Sequence, residues 1–202
     1  VVPGVLFLEM ALAAWNASSK NDNRSANVFL SHIGWTSPLI VTDSPVTIDV
    51  SLIEKENQLC SFEISSISSF AGNRLTHCSG QLGIRSHTPP PELDLLQVQE
   101  KCNLQSLTSD ALYSAFSKSG LDYGPSHQAV EILKLGKNQV LAKLNLPLCV
   151  GNTRKDYVLH PSLLDGALQA TAGVFLRGNN DDKSIARPAL PFALDELQIY
   201  QH

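Results

Sequence analysis

The chain is predicted to be α+β, built as two copies of one plan in which a buried helix is wrapped by antiparallel strands. Three observations predict this. Two proline-led segments, starting at Pro3 and Pro161, are helical in pattern and apolar nearly all round, and such helices are buried. Three runs between them alternate apolar and polar residues with period two, as half-buried strands do. The two helical segments also resemble each other, a faint internal repeat.

Composition sets the bounds. The 202 residues are 43% hydrophobic and 17% charged, with a net charge of −4, which suits a globular core. No Lys/Arg run is present, so nucleic acid is excluded as the expected partner. No apolar run approaches the roughly 20 residues of a membrane helix. The first residues lack both a Met and a basic flank, so the chain is expected to begin inside a longer polypeptide, with no signal peptide. Cys60, Cys78, Cys102 and Cys149 form no C-x-x-C pair and have no His at zinc-finger spacing. They are expected to be free thiols of a reducing cytosol, with no metal bound.

The elements follow in order. Residues 3–17 form the first helix, and residues 16–27 are polar and turn-rich. Strand character runs over residues 28–85, clearest at 46–53, 60–65 and 75–84, with a turn at Ala71-Gly72-Asn73. His87-Thr88-Pro89-Pro90-Pro91 cannot continue a ladder. The expected domains are therefore 1–88, a linker at 89–105, and 106–202. A helix at residues 110–118 takes its cap from Thr108 or Ser109, and a tight loop covers 119–125. Strands are expected at 129–135 and 139–146, a helix from Pro161 to about Leu176, a polar loop at 178–183, and a last strand at 196–200.

The helix at Pro161 carries the chemistry. Asp165 and Gln169 are four apart and so share one face, on a helix otherwise made of Leu163, Leu164, Ala167, Leu168 and Ala170. A carboxyl and an amide aimed at one place make half of an acid–base site. Asp165 is read as lying in the first helical turn, where the helix dipole favours the anion. An acid role would need desolvation among the leucines to outweigh that.

Several blocks resemble the dehydratase domain of modular polyketide synthases. Pro3-Gly4 with Leu8-Glu9-Met10-Ala11 resembles the end of an H-x-x-x-G-x-x-x-x-P motif and the helix after it. Tyr123-Gly124-Pro125-Ser126-His127 resembles Y-G-P-x-F, and His160-Pro161-Ser162-Leu163-Leu164-Asp165 through Gln169 resembles H-P-x-L-L-D-x-x-x-Q. Leu190-Pro191-Phe192-Ala193 fits the final strand region. The resemblance implies a double hotdog, with two antiparallel sheets each wrapped around a long central helix. The first hotdog is expected to lack its opening strands.

It also implies the reaction, in which a β-hydroxyacyl thioester on the phosphopantetheine of an acyl carrier protein loses water to give an α,β-enoyl thioester. No metal or other cofactor is implied. The expected partners are the carrier protein and neighbouring synthase domains, with a homodimer as a known family assembly and a cytoplasmic location. The family's catalytic histidine falls ahead of Val1, and Asp165 would be the acid. Tyr123, Gly124, Pro125, His127, Gln169 and Gly4 would line the substrate, with the Gly4 region offering a backbone N–H to the thioester oxygen. His127 stands where the family usually has an aromatic, most often phenylalanine, and does not replace the missing base.

Plainer roles stand beside these. His160 and Pro161 are expected to be structural, the His160 ring holding a backbone carbonyl at the helix start. Tyr123-Gly124-Pro125 can simply shape a turn, and Gln169 can simply satisfy buried polar groups. Asp195 and Glu196 read as solvated charges. Other functions open on the same fold are oxa-Michael cyclisation, double-bond isomerisation, or a non-catalytic docking or structural role.

Overall fold

The computed structural model describes residues 1–18, 27–56, 59–67, 73–85, 89–174 and 191–200. Residues 71–72 of the expected turn, residues 86–88 just ahead of the expected linker, and the loop at 178–183 lie outside them, as does Leu190. The chain divides into two units, Val1–Pro91 with Pro191–His202, and Glu92–Leu190.

In the first unit α1 (Val5–Ser18) precedes an antiparallel sheet of β1 (Asn27–Trp35), β2 (Ile48–Glu54), β3 (Leu59–Ile67), β4 (Arg74–Arg85) and β8 (Ala193–Ile199). The strands lie in the order β2-β3-β4-β1-β8. The helix buries Val5, Phe7, Leu8, Ala11 and Leu12, while Ala13 is exposed. Its apolar coat is therefore not buried all round as its composition suggested. Against it the strands present Leu30, Ile33, Phe62, Ile64, Cys78 and Leu82, all below 4% exposed. The core also encloses His77, whose ring stacks on Phe7 with centroids 5.8 Å apart. Its two nitrogens are satisfied by Ser66 Oγ at 2.8 Å and the Ser37 carbonyl at 3.1 Å. A β-bulge between Ser31 and Gly34 gives His32 a φ of +52°, a left-handed conformation suited to the extra residue of a bulge.

The second unit holds α2 (Leu95–Lys101), β5 (Gln105–Thr108), α3 (Ser109–Lys118), β6 (Val130–Gly136), β7 (Gln139–Leu144) and α4 (Pro161–Thr171). The three strands form one antiparallel sheet in chain order. Leu107, Leu112, Tyr113, Phe116, Val130, Leu133, Leu135 and Ala170 make its core. Thr108 caps α3 by accepting from the Ala111 N–H at 3.4 Å, one of the two caps expected. A 3-10 turn (Ala172–Val174) follows α4.

Each unit thus joins a helix to an antiparallel sheet, as predicted, but the expected domain boundaries need correction. The last strand was grouped with the second unit by its place in the sequence. It pairs with β1 instead, Leu30 opposite Leu197 and Ser31 opposite Glu196, so it completes the first sheet. Glu196, expected to be a solvated charge, is exposed but takes two hydrogen bonds from Arg85 at 2.9 and 2.8 Å. The expected linker at 89–105 also contains α2, which Asp94 caps by accepting from the Gln97 N–H at 3.0 Å. The three prolines break the ladder, and only a few residues beyond them the chain is helical again.

All four cysteines are free, three buried and Cys149 exposed. Burial pushes the Cys78 thiol up to about 12. Among the described residues no helix is long and apolar enough to cross a membrane, and no cluster of three metal-ligating side chains occurs.

Gly136 ends β6 with no room for a side chain, because a Cβ there would run into the Lys101 carbonyl oxygen and come within 2.9 Å of Gln139 Cγ. Backbone cannot yield as a side-chain tip can. Gly136→Ala should cost about 1–3 kcal/mol, measured as a lowered urea midpoint. An unchanged midpoint would show that the α2–β6 junction gives way freely.

Candidate active site around Asp165

The sequence explains how α4 presents its polar pair. Pro161 takes the first helical position, where its missing N–H costs nothing. His160 caps the helix, its Nδ1 accepting from the Ser162 N–H at 3.2 Å. Its Nε2 lies 3.0 Å from Thr153 Oγ1, which itself donates to the Val150 carbonyl at 2.8 Å. Nε2 therefore carries the proton. His160 is structural as expected, but its ring accepts a backbone N–H and does not hold a carbonyl. A helix start leaves unpaired N–H donors, and a ring nitrogen lone pair answers that need.

Asp165 is the fifth residue of α4, so it lies beyond the first turn, which holds no acid. The sequence-based placement was one turn too early. The helix-end charge, which falls off within that turn, is not aimed at it. The Asp165 side chain is 14% exposed.

Gln169 is buried and uses both ends of its amide. Nε2 donates to Asp165 Oδ2 at 2.8 Å and to the His127 carbonyl at 3.0 Å, while Oε1 accepts from Tyr113 OH at 2.8 Å. The i, i+4 spacing read from the sequence is thus a direct hydrogen bond. Tyr113 OH in turn accepts from the Val130 N–H at 3.0 Å. A chain of hydrogen bonds runs from β6 through Tyr113 and Gln169 to the carboxyl.

Tyr113 was missed by the sequence reading. Its only local signal is its place beside Leu112 and Phe116 on the buried side of α3, where a phenol needs a polar partner.

Tyr123 packs edge-on against Phe116 and Tyr113, with centroids 5.1 and 6.0 Å apart. Burial first, then the nearby Asp165 charge, push its phenol up to about 12. Burial likewise raises Tyr113. Gly124 and Pro125 are exposed and open a 3-10 turn (Pro125–His127), where the Gly124 carbonyl accepts from the His127 N–H at 2.9 Å. Their visible work is to set this turn. It carries His127 to Asp165, with Nδ1 3.3 Å from Oδ2. The distance is that of a hydrogen bond but the angle is not, so this buried nitrogen has no aligned partner.

Asp165, Gln169, His127 and Tyr123 therefore gather in the second unit as one cluster, around a Tyr113 that the motifs did not mark. Gly4 belongs to the first unit. Its carbonyl accepts from the Trp35 indole N–H at 2.9 Å, and a Cβ on Gly4 would stand 2.9 Å from that nitrogen. Close approach of the indole is a structural reason for glycine at this position.

Comparison with known proteins gives a consistent answer. Residues 90–202 match the family model described as the polyketide synthase dehydratase N-terminal domain, and residues 1–67 match the polyketide synthase dehydratase domain. Polyketide synthases PksM and PksN of Bacillus subtilis (strain 168) are 38% and 36% identical over 99% of this chain. The chain spans only 5% and 4% of their lengths. A trans-AT PKS dehydratase domain from Brevibacillus brevis is 42% identical with a TM-score of 0.89, covering 99% of this chain and 69% of that one. The CurK dehydratase of the curacin polyketide synthase is 28% identical at a TM-score of 0.82, covering 99% and 67%. CurK dehydratase is also solved as inactive mutants, one with asparagine in place of an aspartate and one with phenylalanine in place of a histidine. These matches bear out the expected hotdog fold.

Two predictions follow from the cluster's geometry. Tyr113→Phe leaves the Val130 N–H and Gln169 Oε1 without their partner, and a buried unsatisfied group costs about 1–3 kcal/mol. Thermal unfolding should register that loss, and an unshifted transition would mean that other groups take over both bonds. Tyr123 has a folded pKa raised above its ordinary value of 10.0. Its contribution to stability is full below pH 10 and is lost as pH rises toward about 12. Ultraviolet titration should show a late phenol, absent from Tyr123→Phe.

Proposed function

The chain belongs to the polyketide synthase dehydratase family, and on that premise we propose that it removes water from a β-hydroxyacyl thioester to give an α,β-enoyl thioester. The acyl chain rides on the phosphopantetheine of an acyl carrier protein, and neighbouring synthase domains supply and accept it. The observation that carries this reading is the Asp165 carboxyl, mostly buried and oriented by the Gln169 amide at 2.8 Å. The inactive asparagine mutant of CurK dehydratase supports an essential aspartate in a related domain.

The reaction breaks two bonds. The proton beside the thioester carbonyl passes to a base, the histidine that the family motif carries ahead of the Pro3-Gly4 step. The C–O bond to the β-hydroxyl then breaks as Asp165 gives its proton to the departing oxygen, and water leaves. Both transfers must be positioned within hydrogen-bond reach. Gln169 fixes the carboxyl and is itself fixed by Tyr113. Tyr123, whose phenol is protonated at neutral pH and pushed further from ionisation by burial, is a donor available to the same hydroxyl. Gly124 and Pro125 act through the turn that seats His127.

The test is mass spectrometry of a carrier protein loaded with a β-hydroxyacyl group and incubated with a polypeptide extended ahead of Val1 through the family's histidine motif. Dehydration appears as loss of one water, and Asp165→Asn should slow it by about a hundredfold or more without disturbing the fold. Full activity in Asp165→Asn would remove this carboxyl from the mechanism. A product of unchanged mass but altered retention from a hydroxy-enoyl substrate would replace dehydration with cyclisation.

A further inference from the structure

We infer that His127 is a positioning residue for Asp165: its Nδ1–H joins the Gln169 amide on Oδ2, so the carboxyl carries its proton on Oδ1, facing the reacting hydroxyl. This rests on the dehydration reading above.

The two carboxyl oxygens are unequal. Oδ2 receives Gln169 Nε2 at 2.8 Å and lies 3.3 Å from His127 Nδ1. No hydrogen bond from the described residues reaches Oδ1. An oxygen that accepts from Gln169 and has a second donor 3.3 Å away has little room for a proton of its own, so the acid proton goes to the other oxygen.

The His127 ring is held there by its backbone. Its N–H donates to the Gly124 carbonyl at 2.9 Å. Its carbonyl accepts from Gln169 Nε2 at 3.0 Å. Nδ1 is buried with no aligned partner, an arrangement costly enough to need a reason. The hydrogen bond forms once the ring turns to point Nδ1–H at Oδ2, 3.3 Å away. Facing the acceptor oxygen Oδ2, Nδ1 must carry the proton, since a lone pair there would be repelled. A phenylalanine ring fills the same space but supplies no donor.

Two substitutions separate the donor from the ring. His127→Phe keeps a ring and removes Nδ1. His127→Asn loses the ring but places an amide N–H where Nδ1 stood. With the same carrier-bound substrate, His127→Phe should lower kcat about tenfold with KM within about twofold, and His127→Asn should stay within about threefold of wild type. Wild-type kcat in His127→Phe, or His127→Asn worse than His127→Phe, would show that the ring only fills space and would overturn the inference.

A second measurement needs no turnover. Imidazole nitrogen NMR shifts should show Nδ1 protonated in the wild-type protein, with that preference lost in Asp165→Ala. An unprotonated Nδ1 in the wild type overturns the inference. If the wild type fails to dehydrate at all, the proposed reaction falls, and the nitrogen shifts alone decide the role of His127.

Discussion

The Gln169 side chain ties the site to the fold. One amide bridges α4 to the turn at Pro125–His127 and to α3, through Asp165, the His127 carbonyl and Tyr113 OH. Tyr113 passes the connection to β6 through the Val130 N–H. Each such bond adds only about 0.5–1.5 kcal/mol net. Leaving any of these buried groups unpaired costs more than making the bond gains, so the set holds together as a unit. The carboxyl is thereby placed by the whole second unit and does not depend on its own helix alone.

The same asymmetry organises the first unit. A buried imidazole at His77 is tolerated because both nitrogens are engaged and Phe7 covers its face. Trp35 buries its indole against Gly4 because its N–H finds the Gly4 carbonyl. Apolar contact supplies most of the driving force for packing α1 on the sheet. The Trp35–Gly4 hydrogen bond ties the start of the helix to β1. On the far side, the exposed Arg85–Glu196 pair adds little beside the ladder that holds β8 to β1, because solvent screens it.

Polar groups near Asp165 divide into those that hold and those available to react. Gln169, Tyr113 and the backbone of the His127 turn are saturated with protein partners. Tyr123 is kept neutral by its surroundings, mainly burial. Oδ1 of Asp165 takes no hydrogen bond from the described residues. On the dehydration proposed above, a carboxyl with one oxygen fixed and the other open needs little rearrangement when the hydroxyl arrives, which is the value of preorganisation in proton transfer.

Sequence by itself determined what repeats locally. Period-two alternation placed β2, β3 and β4 within a few residues, and Pro161 placed the start of α4. The four-residue spacing of Asp165 and Gln169 put them on one face, where they bond. Local pattern carries such features because a helix or strand face is set by backbone period alone. Tertiary structure decided what depends on distant partners. Residues 193–199 look the same as an edge of either sheet, and only pairing with β1 assigns them. Nothing near Tyr113 in the chain marks its contact with Gln169, 56 residues away. The wrong partner expected for His160 has the same origin, because the hydroxyl of Thr153 that fixes its ring comes from outside the helix. The position of Asp165 beyond the first turn, by contrast, follows from counting, since it is the fifth residue from Pro161.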